Sequence, residues 1–327
     1  MTRLSTVSRR LSALGAGVKS VGRALNGEDA EMDDPSALID GAFLRQVEAL
    51  RFSAPRAATS GLAGEHASRR KAHSIEFADH RNYVPGDDFR LIDWNVYARL
   101  GELCLKLTEA RENRAVHLLI DCSQSMDWGR PNKLTYAKRV AAALGAVALA
   151  SYDTVSLGAF GGEPHPVLPP LRGRNAVGPL LERLRAVEPG GGTDLARAAS
   201  AYCGQVGRRR GVAVLLTDFL VSEGHAEALG LLARVGLQTT VLHVVDQQEE
   251  DPGLDGLLEL HDCETGELVR VAITPALLRR YRAHVASWSD ELAALCRAQR
   301  AHYVRVSTAV PPRTLVLQAL RREGVLR

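Results

Sequence analysis

The sequence predicts an α/β protein built on a doubly wound, mostly parallel sheet, with a helical and short-strand extension at its N-terminal side. Between residues 114 and 309, short apolar segments alternate with longer segments of helical composition. The apolar segments are continuous runs such as AVHLLI and GVAVLLT, without polar alternation. Strands of this kind are buried on both faces, as in parallel sheets covered by helices.

Composition narrows the class of protein further. Apolar residues make up 46% of the 327 residues, which is enough for a sizeable core and excludes a chain disordered throughout. A net charge of +3 is too small to indicate nucleic-acid binding. The five cysteines include no CxxC pair, which argues for a reducing compartment. No apolar run reaches the roughly 18 residues of a membrane span, so we expect a cytoplasmic protein, peripheral at most to the inner face of a membrane.

Each element of the 114–309 domain follows from local pattern. The predicted strands are 115–120, 153–160, 211–217, 238–245 and 303–306. The predicted helices are 133–151, 175–187, 194–206, 226–235 and 275–297, the last with a proline in its first turn. Period-two spacing around Glu264-Thr265-Gly266 predicts a hairpin inserted at 254–273. Residues 310–327 form a C-terminal tail that we expect to be helical.

Two segments precede this domain. Residues 1–36 comprise a basic stretch, 1–26, with amphipathic helical spacing, followed by an acidic linker. The basic stretch suits an anionic membrane surface, a partner's groove or an organellar transit peptide, and it also suits a tail packed on its own domain. Residues 37–113 contain a predicted helix at 37–50 and short strands near 74–77 and 103–108.

Acidic residues in the 37–113 segment allow two interpretations. Asp87, Asp88 and Asp93 could ligate a metal ion, or they could pair with neighbouring arginines and fix a long loop. The alternation of charge sign along this segment favours the second interpretation.

Oxygen-bearing side chains follow two predicted strands and begin one helix. Asp121, Ser123 and Ser125 come directly after strand 115–120, and Asp218 follows strand 211–217. Three glycines place Thr193 at a helix start. Ligands of open α/β sheets bind beyond the carboxyl ends of the strands, so we expect these five residues to meet there.

This donor set suits a hard divalent cation. Two carboxylates and three hydroxyls supply oxygen only, without sulfur or imidazole, which favours Mg²⁺ and also allows Mn²⁺ or Ca²⁺. The set leaves a coordination position for a carboxylate of a partner protein.

The same residues resemble a known site. Asp121, Ser123, Ser125, Thr193 and Asp218 match the metal-ion-dependent adhesion site (MIDAS) of von Willebrand factor A (vWA) domains. Upstream, the sequence resembles the signature of DUF58 proteins at Glu76-Phe77, Arg81, Tyr83, Pro85-Gly86-Asp87-Asp88, Arg90, Ile92-Asp93-Trp94 and Ala98-Arg99. The resemblance covers about residues 40–310. It implies a bacterial or archaeal vWA-like protein that partners a MoxR-type AAA+ ATPase, as an adaptor or recruiter of client proteins in a chaperone-like system.

Two other functions have weaker support in the sequence. A hydrolase could use Ser123 or Cys122 as nucleophile, with His243 as the histidine nearest to a strand's carboxyl end, but no G-x-S-x-G elbow is present. The glycine run 190–192 precedes a helix, yet the chain has no phosphate-loop motif, so any ATP hydrolysis belongs to the partner. Asp194 is expected to be an acidic first-turn residue and not a ligand.

Overall fold

The structure is a computed structural model, in which two compact units can be described. The described residues are 38–53, 75–84, 87, 89, 92–110, 114–161, 168–192, 194–207, 211–220, 223–261 and 268–327. Within them, residues 38–53 and those from Ala115 onward form one unit, and residues 75–110 belong to the other. The predicted basic segment 1–26 and the acidic linker lie outside the described residues.

Within the described residues, ten strands form three sheets. In chain order the strands are β1 Ile75–Asn82, β2 Cys104–Ala110, β3 Ala115–Asp121, β4 Thr154–Phe160, β5 Leu171–Arg172, β6 Gly211–Thr217, β7 Leu237–Val245, β8 Gly256–His261, β9 Leu268–Ile273 and β10 His302–Ser307. The large sheet has the order β10-β7-β6-β3-β4-β5, in which only the edge strand β5 runs antiparallel to its neighbour. This confirms the predicted mostly parallel sheet.

Helices cover both faces of the large sheet. The helices in chain order are α1 Gly41–Val47, α2 Trp94–Leu100, α3 Lys133–Ala150, α4 Val177–Arg185, α5 Leu195–Val206, α6 His225–Arg234, α7 Gln247–Glu250 and α8 Pro275–Ala298. One apolar core contains side chains of α1, α3 and α4, and a second core contains those of α5, α6 and α8. The sheet is therefore doubly wound, as predicted.

Helix α3 is the central helix of the first core. Its alanines and leucines are buried on nearly every side, because the sheet lies under the helix while α1 and α4 pack against it. Gly145 permits the close approach of α4, since a Cβ atom there would lie 2.3 Å from a methyl carbon of Leu180. Asn132 begins the helix by accepting a hydrogen bond from the backbone N–H of Thr135.

The chain divides differently from the predicted boundaries. Residues 38–53 were assigned to a common segment with β1 and β2, but Phe43, Val47 and Phe52 are buried in the first core. The C-terminal segment 312–322 is helical, and Val316 and Leu320 are fully buried in that same core. Both segments belong with the large sheet because their apolar side chains complete the layer around α3.

The two ends of this unit are paired. Phe52 and Leu326 form an isolated antiparallel bridge, and both side chains are buried. On one side of the bridge, Arg51 and Arg327 exchange backbone hydrogen bonds of 3.1 and 2.9 Å. On the other side, Ser53 N–H donates to the carbonyl of Val325 at 2.9 Å. Residues 325–327 therefore pair with residues 51–53, and Phe52 and Leu326 are buried together in the first core.

The second unit contains the antiparallel pair β1–β2 and helix α2. Asp93 begins α2, because its carboxylate accepts hydrogen bonds from the N–H groups of Asn95 and Val96. Asp87 accepts one from the N–H of Val84. These two carboxylates thus have local structural roles, while Asp88 lies outside the described residues.

A separate hairpin follows α7. Strands β8 and β9 pair antiparallel, from Gly256 opposite Ile273 to His261 opposite Leu268. This agrees with the predicted insertion at 254–273, whose turn lies outside the described residues. Across the described part of the chain, no helix combines the length and apolar character needed to cross a membrane.

Candidate functional site

The loop after β3 brings three predicted residues together. Asp121 is the last residue of the strand, and its Oδ1 accepts a hydrogen bond of 3.0 Å from the backbone N–H of Ser123. The Ser123 and Ser125 hydroxyl oxygens lie 2.9 Å apart. All three side chains are buried. The alternation of Asp-x-Ser-x-Ser thus turns successive oxygens toward one point.

The glycine run supports this loop through its backbone. Gly190 N–H donates to the carbonyl of Cys122 at 2.9 Å, and Gln124 N–H donates to the carbonyl of Gly191 at 3.1 Å. Thr193, which the sequence places next in this site, lies outside the described residues. Asp194 is the N-cap of α5, where its carboxylate accepts from Arg197 N–H, so it stands one position before the predicted first turn.

The end of β6 supplies the second carboxylate. Thr217 donates its hydroxyl hydrogen to Asp121 Oδ2 at 2.6 Å. Asp218 follows, with Oδ1 accepting from Leu220 N–H at 3.0 Å and with a side-chain hydrogen bond to Ser125. Strands β3 and β6 are neighbours at the point where the strand order reverses, which is where such sheets bind ligands. The structure therefore brings together Asp121, Ser123, Ser125 and Asp218.

Two charged residues of this site were missed in the sequence. Lys133, the first residue of α3, has a fully buried side chain whose Nζ lies 2.7 Å from Asp218 Oδ2 and 2.5 Å from Glu249 Oε1. Glu249 belongs to α7, 116 positions away along the chain. The available signals were a lysine at the start of an alanine- and leucine-rich helix and the capping-box spacing of Asp246 and Glu249.

Burial and charge set the ionisation of these groups. Burial, together with the carboxylate of Asp218, raises the pKa of Asp121 to about 6, although Thr217 and Ser123 oppose this with hydrogen bonds. Burial also disfavours a charged Asp218, but the ammonium of Lys133 outweighs it and lowers the pKa of that carboxyl. Burial alone would lower the pKa of Lys133, and the two neighbouring carboxylates instead raise it. The ion pair of Lys133 and Asp218 is therefore stable at neutral pH.

Two buried histidines, His225 and His243, contact the ring of Phe219, the residue after Asp218. The Phe219 ring lies between His225 and His243, with centroid distances of 5.1 and 5.9 Å. Burial lowers the pKa of His225, and it lowers the pKa of His243 to about 3. His243 Nδ1 lies 2.6 Å from the hydroxyl of Tyr303. His243 is thus a buried group of the protein interior.

A divalent cation fits the crevice in donor chemistry. The carboxylates of Asp121 and Asp218 and the hydroxyls of Ser123 and Ser125 are hard oxygen donors. Asp218 and Glu249 contact the ammonium of Lys133, and Asp121 adds a further carboxylate close to Asp218. No group of three or more His, Cys, Asp or Glu side chains able to hold a metal ion occurs in the part of the chain that the structure describes, so hydroxyls are needed to complete the donor set.

The fold and this crevice define an α/β protein with an oxygen-lined site at the switch point of its sheet. A comparison with family sequence models matches residues 79–291 to DUF58, described as a protein of unknown function. The chain belongs to the DUF58 family.

Two relatives are similar to this chain in sequence, and two solved structures are similar to it in fold, each over more than 60% of its length. Uncharacterized protein Rv1480 of Mycobacterium tuberculosis and uncharacterized protein Mb1516 of Mycobacterium bovis are each 29% identical over 252 residues, covering 76% of this chain and 77% of the relative. The structure of the conserved hypothetical protein BatB from Bacteroides thetaiotaomicron has a TM-score of 0.41 at 18% identity, covering 65% of this chain and 99% of BatB. The SpRpn10 VWA domain has a TM-score of 0.37 at 12% identity, covering 63% and 94%.

Proposed function

We propose that this protein is a non-enzymatic protein-interaction module that binds a partner's carboxylate through a divalent cation, with Mg²⁺ favoured. One observation carries the proposal: Asp121, Ser123, Ser125 and Asp218 lie together at the carboxyl ends of strands β3 and β6. These residues come from two strands 96 positions apart at Asp121 and Thr217, so their convergence is a property of the fold.

Each residue of the crevice would contribute differently to binding a divalent cation. Asp121 is oriented by Thr217 and by the loop backbone, so its carboxylate is fixed before a cation arrives. The two serine hydroxyls and Asp218 would supply further oxygens, and Thr193 belongs to the proposed set through its resemblance to the adhesion site. A bound Mg²⁺ would act as a bridging Lewis acid that attracts an oxygen ligand of the partner.

The chemistry of Cys122 and Ser123 supports an interaction role over hydrolysis. Burial, and then the Asp121 carboxylate, raise the pKa of Cys122 to about 11, so its thiolate is scarce at neutral pH. The Ser123 hydroxyl is hydrogen-bonded to the Ser125 hydroxyl and to the Asp121 carboxylate, and no hydrogen bond to an imidazole occurs among the described residues. A serine nucleophile would need a positioned base.

The partner follows from the family resemblance. We propose a MoxR-type AAA+ ATPase as the binding partner, with this protein acting as an adaptor that presents client proteins. ATP hydrolysis would then belong to the partner. The basic segment 1–26 would provide a further contact, with a membrane surface or with a partner.

Metal titration of the Asp121→Asn variant tests the cation site. Calorimetric titration should show Mg²⁺ binding to the wild type and none to the variant, because one anionic ligand is lost. Asp127→Asn is the matched control, since Asp127 lies on the same loop but is exposed. Equal affinities of wild type and Asp121→Asn would refute the site.

Co-purification tests the partner. An AAA+ ATPase of the MoxR type should be retained by the wild-type protein in Mg²⁺, and should be released by a chelator or by Asp121→Asn. Retention that is indifferent to both treatments would separate the ATPase from the cation site. Turnover of esters or peptides that is lost in Ser123→Ala would support hydrolysis instead.

A further inference from the structure

Lys133 already binds the carboxylate that a divalent cation would need. Its Nζ is 2.7 Å from Asp218 Oδ2, and its side chain is completely buried. Asp218 is buried as well, with 3% of its side chain exposed. A metal ion bound to the same carboxylate would lie close to this ammonium, and their like charges would repel each other.

The ammonium is also bound by a second carboxylate, that of Glu249. Glu249 Oε1 lies 2.5 Å from Lys133 Nζ, while Glu249 Oε2 accepts a hydrogen bond of 2.8 Å from the N–H of Asp246. Asp246 is itself anchored by the Thr308 hydroxyl at 3.0 Å. Tyr281 donates to the carbonyl of Glu249. Helix α7 therefore keeps Glu249 in one position relative to α3 and the sheet.

Burial should keep the ion pair of Lys133 and Asp218 in a constant geometry. Ion pairs at protein surfaces exchange partners freely with water and salt, but buried pairs keep their geometry because separation would leave an uncompensated charge. Lys133 contacts two carboxylates: that of Asp218, which belongs to the proposed cation site, and that of Glu249, which does not. If the contact with Asp218 is lost, the contact with Glu249 still compensates the charge of the ammonium.

We propose that Lys133 is a resident counter-cation that neutralises Asp218 when no divalent ion is bound, and that Glu249 sets how readily Lys133 releases it. This inference rests on the proposed cation site and deepens it by naming its regulation. Lys133 lowers the affinity of the crevice for divalent cations and stabilises the cation-free protein. Glu249 raises that affinity, since it shares the ammonium with Asp218 and adds negative charge nearby.

Two substitutions with opposite expected effects test the proposal. Lys133→Met keeps the length and apolar stem of the side chain and removes its charge. We expect its affinity for Mn²⁺, measured by calorimetric titration of the full chain, to rise by at least about tenfold, because charges of like sign a few ångströms apart repel strongly even at an effective dielectric constant of about 20. Glu249→Gln, nearly isosteric, should lower the affinity by about tenfold for the converse reason.

Lys138→Met is the matched control. Lys138 lies on the same helix and is half-buried, and the carboxylates near it are those of Glu188 and Asp127. Its Mn²⁺ affinity should stay within about twofold of the wild type, since its charge is not in contact with Asp218.

Thermal unfolding in a chelator provides a second readout. Without divalent cations, Lys133→Met should melt at a lower temperature than the wild type, and Mn²⁺ should raise its Tm by more than it raises the wild-type Tm. If Lys133→Met proves unstable, the weakened binding of Glu249→Gln still decides the question. Wild-type Mn²⁺ binding with unchanged affinity in both variants would overturn this inference and leave the proposed function standing. Absence of Mn²⁺ binding in every protein would overturn both.

Discussion

Thr217 donates its hydroxyl hydrogen to Asp121 Oδ2 at 2.6 Å and so links the last residues of strands β6 and β3. The same hydroxyl oxygen accepts a hydrogen bond of 3.0 Å from Phe219 N–H. One buried threonine therefore orients the first carboxylate of the candidate site and the backbone that follows the second.

Replacing this threonine should destabilise the protein. In Thr217→Val the shape is nearly kept, but a buried carboxylate loses a donor, which should cost about 1.5–3 kcal/mol of unfolding free energy. Urea unfolding followed by circular dichroism measures the loss. Thr239→Val is the control, because the buried hydroxyl of Thr239 has no hydrogen-bond partner among the described residues. A loss of equal size in both variants would assign no special role to the bond with Asp121.

Acidification should weaken the fold through His225 and His243. Their pKa values are lower in the folded protein than the ordinary 6.5, so below pH 6.5 the unfolded chain binds more protons than the folded one. The stability is present above pH 6.5 and is lost as the pH falls below that value, toward about 3 for His243. For one such imidazole the loss between pH 6.5 and 5.5 is about 1 kcal/mol.

The variants His225→Gln and His243→Gln isolate this effect from that of Asp121. The raised pKa of Asp121 acts in the opposite direction, since a folded state that binds more protons gains stability as the pH falls toward 4. Unfolding free energies measured at pH 7.5, 6.5 and 5.5 should fall less steeply in each variant than in the wild type. A slope unchanged in both would show that these imidazoles bind protons in the folded state.

A methyl group at Gly145 should disturb the packing of α3 against α4. Gly145→Ala would place its Cβ 2.3 Å from the Leu180 methyl carbon unless the helices move, and overpacking of this kind costs about 1–3 kcal/mol. Gly204→Ala is the matched control on α5, where an added Cβ meets no atom within 4 Å. It should stabilise the helix by up to about 1 kcal/mol. Thermal unfolding of the two variants should therefore shift in opposite directions.

Removal of residues 1–26 should leave the Tm nearly unchanged. Association with vesicles that contain anionic lipid, or with the partner, should decrease, because this segment carries basic residues and no acidic ones. Vesicle co-sedimentation and calorimetry measure the two effects. A large fall in Tm would show instead that the segment is an integral part of the folded protein.

The positions of β3 and β6 could be predicted because each is a nearly continuous apolar run, and their carboxyl ends located Asp121 and Asp218. The contacts of Lys133 could not be predicted in the same way, since Glu249 lies 116 positions away and only the tertiary fold brings the two together. The place of Phe52 in the core has the same cause: its partner Leu326 is near the opposite end of the sequence. Local pattern determines elements, whereas these pairings depend on how the layers stack.

The bridge between Phe52 and Leu326 affects how the protein should be handled at the bench. Deletion of residues 325–327 would remove Leu326, which pairs with Phe52, and Arg327, the backbone partner of Arg51. Variants made for pull-down work should therefore retain residues 325–327.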